Sequence, residues 1–297
     1  MIEKLKGTGV ALVTPFKEDG KIDFDSFRKL INHVIDGRVE FLVPLGTTGE
    51  SATLSKNEKK QVFDFVAEVN DGRVPLVAGI GGNNTAELRK SLHEFDASAY
   101  TAILSVSPYY NKPSQEGLFQ HFKALACESA LPLIVYNIPG RTGSNITAET
   151  TLRLAELPNI AGVKEASGNF EQFMEIIRHM PADFCFLSGD DGVALPIVAL
   201  GGHGVISVLG NAFPGEMSDM VRFCLRGDFA GARPLHYKLM ELVPLLFAEG
   251  NPVGVKTFLK ELGICGDTVR LPLVPAGARL KEQIRQAVSC YTEREGV

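Results

Sequence analysis

Residues 160–169 read IAGVKEASGN, an apolar run that ends at Lys164 and is followed at once by a Ser-Gly-Asn turn. Such a run is typical of a short buried strand. A lysine at the end of a buried strand either extends its ammonium into water or is held partly desolvated. Desolvation lowers the pKa of a lysine from about 10.4, and the neutral amine can then form a Schiff base with a ketone. The stretch alone leaves both interpretations open.

The run before Lys164 is one of eight short apolar runs along the chain. They span residues 9–15, 41–45, 75–80, 102–106, 132–136, 160–163, 184–187 and 205–209. Amphipathic segments follow them, at residues 24–35, 55–69, 85–95, 115–128, 148–157, 170–179, 192–200 and 215–225. Continuous apolar runs indicate parallel strands that are covered on both faces. Eight strand-then-helix units predict an α/β fold of the (β/α)8 TIM barrel type.

The alternative architecture is an open doubly wound sheet, which usually carries a Gly-x-Gly-x-x-Gly turn after its first strand. Residues 14–16 read TPF and offer no such turn. After about residue 226 the strands stop, and residues 229–247, 253–262 and 277–291 have helical patterns. We therefore expect a catalytic barrel over residues 1–225 and a C-terminal helical extension over residues 226–297 that packs on it.

The composition is that of an ordinary globular protein. The 30 Lys and Arg against 35 Asp and Glu give a net charge of −5, which favours neither nucleic acid nor an anionic membrane as a partner. Five scattered cysteines and a start without an apolar signal segment favour a cytoplasmic protein. Residues 193–213 are uncharged apart from His203, but a proline and four glycines interrupt them, so buried elements are expected there and not a membrane span.

Barrel active sites lie at the carboxyl ends of the strands, in the loops that lead to the helices. Side chains capable of chemistry collect there: Thr47 and Thr48 after the second strand, Tyr109 and Tyr110 after the fourth, Tyr136 and Arg141 at and after the fifth, and Lys164 at the sixth. An arginine and a hydroxyl-rich turn suit a carboxylate, and phenols can carry protons. With Lys164 they predict the activation of a carbonyl by an amine, in an acidic substrate.

No pattern of metal ligands accompanies these residues, because the six histidines are dispersed and no His-Glu-x-x-His motif occurs. Asp190 and Asp191 form a close pair of carboxylates after the seventh strand, and capping of a helix N-terminus explains them. We therefore expect neither a metal nor an organic cofactor.

Five motifs match a known family. They are GTTGESATL at residues 46–54, PYYNKP at 108–113, YNIPGRTG at 136–143, VKEA at 163–166 and LSGDD at 187–191. On these motifs, and over nearly the whole chain, the sequence resembles the dihydrodipicolinate synthase family, within the pyruvate-dependent aldolases and lyases that include N-acetylneuraminate lyase. Arg141 and Thr48 favour the synthase branch, because the neuraminate lyases differ after the Tyr-Asn-Ile-Pro stretch and lack that arginine.

The resemblance implies the condensation of pyruvate with L-aspartate-4-semialdehyde to 4-hydroxy-tetrahydrodipicolinate, an early step of lysine and diaminopimelate biosynthesis. It implies that Lys164 forms the imine with pyruvate. Tyr136 would exchange protons, with Thr47 and Tyr110 as a relay. In the family the residue that matches Tyr110 enters from a neighbouring subunit, and the usual assembly is a homotetramer of two tight dimers.

The resemblance also implies how the two substrates are held. Thr48, Gly189 and the backbone around Ile206 would hold pyruvate, and Arg141 would bind the carboxylate of the semialdehyde. Both substrates are carboxylates, which explains cations and oriented amides in a protein that is acidic as a whole.

Lysine-inhibited members of the family bind lysine at the interface of the tight dimer. The matching positions here are Ser51, Ala52, Lys56, Lys59, Gly81, Asn83, Glu87 and Tyr109. Lys56 and Lys59 stand where some lysine-sensitive members have histidines, and two permanent positive charges weaken the binding of an ammonium ligand. Glu87 can still pair with such a ligand, so the sequence leaves inhibition by lysine open.

Two other functions stay open. The first keeps the imine and changes the aldehyde, as in a lyase or aldolase for sialic acid or a keto-deoxy sugar acid. The second is a barrel that only binds a keto acid or a phosphate, because residues 203–209 lie where many barrels bind phosphate. A binding module has no need of Lys164 beside Tyr136, which favours an enzyme.

Overall fold

A computed structural model of the chain describes residues 2–293. Within these residues, eight strands form one parallel sheet: β1 (Gly7–Ala11), β2 (Phe41–Val43), β3 (Val77–Gly79), β4 (Ala102–Val106), β5 (Leu133–Asn137), β6 (Ile160–Glu165), β7 (Cys185–Ser188) and β8 (Gly204–Ser207). Their order is β2-β1-β8-β7-β6-β5-β4-β3. Hydrogen bonds from the Leu42 N–H to the Pro75 carbonyl (3.0 Å) and from the Gly79 N–H to the Pro44 carbonyl (2.9 Å) join β2 to β3 and close the barrel.

The helices surround this barrel. In chain order the first ten are α1 (Ile2–Leu5), α2 (Phe24–Asp36), α3 (Lys56–Asn70), α4 (Thr85–Glu94), α5 (Gln115–Glu128), α6 (Pro139–Thr142), α7 (Ala148–Ala155), α8 (Phe170–His179), α9 (Ala194–Ala199) and α10 (Pro214–Leu225). At the C-terminal end follow α11 (Phe229–Met240), α12 (Val243–Phe247), α13 (Val253–Glu261) and α14 (Ala278–Glu293). The predicted (β/α)8 TIM barrel with C-terminal helices is confirmed.

Alternation along each strand divides the core into an inner and an outer layer. On β5, Leu133 and Val135 pack outward against the helices, whereas Ile134 and Tyr136 pack inside the barrel. On β6, Val163 belongs to the outer layer. The next residue, Lys164, therefore points into the barrel, on the same side as Tyr136.

The strand bounds differ from the predicted runs by a few residues, and three further differences concern the site and the C-terminal helices. β6 continues to Glu165, one residue beyond the lysine. A one-turn helix that was not predicted, α6, follows β5 and carries Arg141. The single helix predicted over residues 229–247 is wrong: α11 ends before α12 begins, because Pro244 at the start of α12 has no N–H with which to continue α11.

The uncharged residues 193–213 form a helix, a turn and a strand, as predicted; β8 is buried throughout, whereas α9 is only partly buried and Leu200 after it is exposed. They contain α9, the turn that follows it, β8, and a short 3-10 turn over Leu209–Asn211. Within residues 2–293, none of the helices combines the length and the apolarity needed to cross a bilayer.

The C-terminal helices pack on the barrel through aromatic contacts around Phe213, the residue before α10. The ring centre of Phe213 lies 5.9 Å from that of Phe258 on α13 and 4.4 Å from that of Tyr291 on α14. On α13, the residues from Val253 to Leu259 are all buried. The helices of the extension therefore share one core with the barrel.

Candidate active site

Lys164 and Tyr136 lie side by side on neighbouring strands. β5 and β6 pair in register at these two residues, and the Lys164 Nζ lies 4.3 Å from the centre of the Tyr136 ring. Each of the two residues is only 5% exposed. The structure thus brings the predicted nucleophile against the predicted proton carrier.

The surroundings of Lys164 favour its neutral form. Burial lowers the pKa of Lys164 from 10.5 to about 8; the Asp191 carboxylate opposes this shift and the Arg141 guanidinium adds to it. At pH 7 a pKa of 8 leaves about one tenth of the amine neutral, against fewer than about one in a thousand for an ordinary lysine. Of the two interpretations that the sequence left open, the structure favours the desolvated lysine.

The pKa of Tyr136 shifts in the opposite direction, because burial raises it to about 12. The Arg141 guanidinium and a hydrogen bond with the Thr47 side chain lower this pKa, and Asp190 raises it. Tyr136 is therefore a protonated phenol at neutral pH, and it can donate a proton to an oxygen that gains charge. The contact with Thr47 joins two members of the predicted relay.

A cavity of about 400 Å³ opens at this end of the barrel. Of the residues predicted for catalysis and substrate binding, Thr47, Tyr136 and Arg141 line it, and the C-terminal part of the chain adds Asn251, Pro272 and Leu273. The Arg141 side chain is exposed, whereas Tyr136 is buried. A cavity with a phenol inside and a guanidinium towards solvent suits small carboxylates.

Gly189 and Ile206 lie in the surroundings of these residues. A Cβ atom added to Gly189 would stand 3.1 Å from the Lys164 Cε and 2.7 Å from the Ala166 Cβ, so a side chain there would push the lysine away. Ile206 on β8 is buried in the same inner layer as Tyr136. Gly189 therefore lies against the Lys164 side chain, and Ile206 lies in the inner layer of the barrel with Tyr136.

The loop after β2 consists of two 3-10 turns, Thr47–Gly49 and Ser51–Thr53. Glu50 joins the turns with left-handed backbone angles, φ 52° and ψ 35°. Thr48 is buried, and its hydroxyl accepts a hydrogen bond of 2.9 Å from the Asn251 Nδ2. The C-terminal part of the chain therefore contacts the turn that is predicted to hold pyruvate.

The Glu50 side chain, for which the sequence suggested no role, is buried and fully engaged. Its Oε1 lies 2.5 Å from the Lys256 Nζ, and its Oε2 accepts a hydrogen bond of 3.0 Å from the Arg270 N–H. Sequence reasoning missed Asn251, Lys256 and Arg270, because more than 200 residues separate each of them from its partner. No motif or spacing marks them.

Tyr110 lies outside the cavity of its own chain. Its side chain is 92% exposed, and its N–H donates a hydrogen bond of 3.2 Å to the Thr142 carbonyl. Its φ of 69° is unusual for a bulky residue. The neighbouring Tyr109 lines the cavity instead. A place for Tyr110 in the relay stays a prediction.

The residues predicted for a lysine effector lie beside the loop after β2. Ser51, Lys59 and Gly81 line the active-site cavity and also a second cavity of about 710 Å³ bordered by α3 and α4. Ala52 lines the first cavity and Lys56 the second.

Three further predicted effector residues are already engaged with neighbours. Asn83 holds the backbone of Tyr109 through two hydrogen bonds of 2.8 Å. Glu87 lies 3.8 Å from the Lys56 Nζ, and both side chains are exposed. An ammonium ligand on Glu87 would therefore compete with Lys56.

The carboxylates after β7 only partly follow the prediction of a helix cap. Asp190 accepts a hydrogen bond of 2.9 Å from the Gly192 N–H, as a cap does. The cap interpretation is wrong for Asp191, which is buried and accepts hydrogen bonds of 3.0 Å from the N–H groups of Val208 and Leu209. Asp191 is the carboxylate that raises the pKa of Lys164.

Comparisons with known proteins agree with this geometry. The model of the dihydrodipicolinate synthetase family matches residues 4–291. The 4-hydroxy-tetrahydrodipicolinate synthase of Flavobacterium psychrophilum is 52% identical over 279 residues, which cover 94% of this chain and 95% of that protein.

Solved structures are similar over almost the whole chain. The chloride-inhibited dihydrodipicolinate synthase of Acinetobacter baumannii, in complex with pyruvate, has a TM-score of 0.93 and 40% identity, over 96% of this chain and 98% of that one. The enzyme of Cyanidioschyzon merolae with lysine bound has a TM-score of 0.92 and 40% identity, over 96% and 97% of the two chains. The chain therefore belongs to the dihydrodipicolinate synthetase family.

Proposed function

We propose that the chain condenses pyruvate with L-aspartate-4-semialdehyde through an imine on Lys164, giving 4-hydroxy-tetrahydrodipicolinate for lysine and diaminopimelate biosynthesis. The observation that carries the proposal is the buried Lys164 amine, with its pKa lowered to about 8, at 4.3 Å from the ring centre of Tyr136. Membership of the family supports the choice of substrates, and the relative from A. baumannii was crystallised with pyruvate.

The chemistry needs an amine and a proton carrier. The neutral Lys164 amine attacks the ketone carbon of pyruvate, and loss of water leaves a protonated imine. Tyr136, as a protonated phenol, gives a proton to the departing oxygen. The imine makes the methyl group acidic, and loss of one methyl proton gives an enamine. The enamine carbon attacks the aldehyde carbon, and the amine of the semialdehyde then displaces Lys164 and closes the ring.

Two groups of residues hold the two carboxylates. The Thr48 hydroxyl and the backbone near Gly189 and Ile206 hold the carboxylate of pyruvate. Arg141, which is exposed on α6, grips the carboxylate of the semialdehyde through the two parallel hydrogen bonds that a guanidinium can donate.

The proton relay runs from Tyr136 through Thr47 to Tyr110 of a neighbouring subunit. The hydrogen bond between Tyr136 and Thr47 supports its first step. The exposed Tyr110 ring, on a backbone with positive φ, supports the second, because a protruding aromatic side chain can enter a partner. The working unit is then at least a dimer, and we propose a homotetramer of two tight dimers.

A weak lysine effector site completes the proposal. It consists of Ser51, Ala52, Lys56, Lys59, Gly81, Asn83, Glu87 and Tyr109, and the relative from C. merolae has lysine bound. Because Lys56 lies 3.8 Å from Glu87, it competes with the ammonium of the ligand. Lys56→His should therefore tighten lysine binding in calorimetry, and an unchanged affinity would remove Lys56 from this argument.

Borohydride trapping tests the imine. Reduction in the presence of pyruvate should add about 72 Da to the peptide that contains Lys164, since the amine gains the keto acid, loses water and takes up two hydrogens. Lys256 is an internal control, because it is also buried but is paired with Glu50. An adduct on Lys256, or no adduct at all, would refute the proposed mechanism.

A substitution of Arg141 tests how the second substrate, the semialdehyde, is bound. Arg141→Ala should raise the KM for the semialdehyde about tenfold or more, because a charge-assisted contact is lost. At saturating pyruvate the adduct should still form on Lys164. Arg153→Ala is the matched control, since Arg153 pairs with Glu116 on the helix surface. If Arg141→Ala leaves the KM unchanged, the semialdehyde is not bound as proposed.

A further inference from the structure

The loop after β2 carries Thr48, and the C-terminal part of the chain reaches this hydroxyl directly. The Asn251 Nδ2 donates a hydrogen bond of 2.9 Å to the Thr48 Oγ1, across 203 residues of sequence. Both side chains are buried, with 8% of Asn251 and 3% of Thr48 exposed. Asn251 also lines the cavity that contains Tyr136. The contact is therefore buried next to this cavity and does not lie on the outer surface.

This hydrogen bond has a direction, and the direction matters for the chemistry. A threonine hydroxyl has one proton to donate and two lone pairs that can accept. Because the Asn251 amide occupies a lone pair of Thr48, the hydroxyl proton stays free for another acceptor. At the position proposed for pyruvate, that acceptor is the carboxylate of the keto acid.

The other end of the Asn251 amide supports a positioning role. Its Oδ1 is buried and has no hydrogen-bond partner among residues 2–293. Buried polar atoms are normally paired, and a buried oxygen without a partner lowers stability. Packing alone gives no reason for an asparagine here, since an apolar side chain would avoid this cost. The contact with Thr48 is the interaction that accounts for it.

A second set of contacts keeps the same loop in place independently of Asn251. The Glu50 carboxylate binds the Lys256 Nζ at 2.5 Å, and the Thr14 hydroxyl donates a hydrogen bond of 2.7 Å to the Gly49 carbonyl. Because these contacts fix the backbone, loss of the Asn251 side chain should leave the loop folded. What it changes is the direction in which the Thr48 hydroxyl points.

We propose that Asn251 is a positioning residue for pyruvate: it fixes Thr48 as a hydrogen-bond donor to the carboxylate of the keto acid. The inference rests on the proposed function, because it needs pyruvate to be bound beside Lys164. It makes the C-terminal helical extension part of substrate recognition, although Asn251 itself does not touch the reacting atoms.

The test compares two substitutions that differ in hydrogen-bond direction. Asn251→Ala removes the donor and should raise the KM for pyruvate about tenfold, with kcat changed by less than about threefold. Asn251→Asp keeps the shape but accepts the Thr48 proton and adds a negative charge, so it should raise this KM further than Asn251→Ala. Asn159→Ala is the control: the Asn159 Nδ2 donates to backbone carbonyls from residue 126 to residue 131, and its loss should leave the KM for pyruvate unchanged.

A double-mutant cycle separates positioning from a general structural effect. In a Thr48→Val background the hydroxyl is absent, so Asn251→Ala should cause no further rise in the KM for pyruvate. An additive rise would overturn the proposal, and so would equal KM values in Asn251→Ala and the wild type. If Asn251→Ala fails to fold, the near-isosteric Asn251→Asp carries the test, and a KM as in the wild type overturns it.

Borohydride trapping distinguishes failure of this inference from failure of the proposed function. The wild type and Asn251→Ala should both give the Lys164 adduct at saturating pyruvate, with half-maximal trapping at about tenfold higher pyruvate in the variant. No adduct in the wild type refutes the imine itself. An adduct with the same pyruvate dependence in both proteins refutes only the role of Asn251.

Discussion

Lys164 and Lys256 are both buried, and their partners decide which of them can attack a ketone. Burial is the main cause that lowers the pKa of each. Lys256 lies 2.5 Å from a Glu50 oxygen and 2.8 Å from the Thr268 carbonyl, and the Glu50 carboxylate opposes the effect of burial on its pKa. Lys164 faces the Tyr136 ring instead. Burial without a paired carboxylate is what makes an amine available for an imine.

The first prediction concerns the pH dependence of imine formation. Burial lowers the pKa of Lys164 to about 8, so the neutral fraction rises about tenfold per pH unit below pH 8 and levels off above it. The rate of borohydride-trappable imine formation at low pyruvate should follow this curve. A rate that still rises between pH 9 and pH 10 would show an ordinary solvated lysine.

Arg141→Ala tests the electrostatic origin of this pH dependence, and Arg153→Ala is its control. The Arg141 guanidinium lowers the pKa of Lys164, so its removal should move the plateau to higher pH. Arg153→Ala should leave the curve where it is, because Arg153 lies on α7 and pairs with Glu116.

At the residue scale, the sequence was enough to predict side chains that stand out from the residues next to them in the chain. It was not enough for side chains whose role depends on a contact with a distant part of the chain. Lys164 was visible because a charged residue ends an apolar run. Arg141 was visible within its motif. Asn251 carried no such mark, because 203 residues of sequence separate it from Thr48. Asp191 was noticed beside Asp190 but was assigned to a helix cap, because the sequence does not show that Asp191 is buried where Asp190 is exposed.

At the scale of elements, the start of α3 is tied to the segment between α13 and α14. Ser55 and Glu58 form a capping box at the start of α3. The Glu58 Oε2 also accepts a hydrogen bond of 3.1 Å from the Arg270 Nη1, and the Arg270 Nη1 donates a second one of 3.0 Å to the Thr53 carbonyl. One arginine therefore joins α3, the loop after β2 and the C-terminal segment.

The second prediction concerns this junction. The hydrogen bond from Arg270 is the largest of the interactions that lower the pKa of Glu58 from 4.5 to about 2. A lowered carboxyl pKa stabilises the fold above pH 4.5, and this stabilisation is lost as the pH falls towards 2. Glu58→Gln should therefore lower the free energy of unfolding by about 1–2 kcal/mol at pH 7. In denaturant titrations the difference from the wild type should shrink below pH 4.5.

Glu68→Gln provides the comparison, because Glu68 pairs with Arg28 on the exposed surface. We expect it to change stability by less than about 0.5 kcal/mol at any of these pH values. Equal effects of the two substitutions would show that Arg270 adds nothing to the capping box.

Among the elements, those with strong local signals were predictable. Alternation of apolar runs and amphipathic segments was enough for β1–β8, because each run is buried on both sides. The break between α11 and α12 and the one-turn α6 were not predicted. Pro244 causes the break, and α6 is a single helical turn in the loop after β5. Neither feature changes the apolar periodicity on which the prediction was based.

At the scale of the whole molecule, Tyr110 leads to the third prediction. If Tyr110 acts in the site of a partner, a subunit with Tyr110→Ala and a subunit with Lys164→Ala complement each other. In a mixed dimer, the subunit that keeps Lys164 receives Tyr110 from its partner. Co-expression in equal amounts should restore about a quarter of the wild-type activity, because half of the randomly formed dimers carry one complete site.

A role of Tyr110 within its own chain predicts a different result of the co-expression experiment. If Tyr110 acts within its own chain, no combination of the two variants contains a complete site. The mixture would then have only the mean of the two low activities. Co-expression of Lys164→Ala with Tyr136→Ala is the negative control, since Lys164 and Tyr136 are in contact within one barrel and cannot complement each other across subunits.

The whole fold was predictable from the eight repeated units, whereas the assembly was predicted only through the resemblance to the family. A single sequence shows which faces of a helix are apolar, and it does not show which exposed ring meets a second copy. The Tyr110 side chain illustrates this, because neither its position in a PYYNKP motif nor its 92% exposure identifies a partner.

The buried contact between Glu50 and Lys256 also limits how such a protein can be rebuilt by recombination. A chimera with its barrel from one relative and its C-terminal helices from another must receive both partners or neither. An unmatched carboxylate or ammonium in a buried position costs about 3–5 kcal/mol, a large part of the stability of a typical domain. Residues 206 positions apart are therefore exchanged safely only as a pair, and a crossover point between them is safe only where the second parent supplies the same pair.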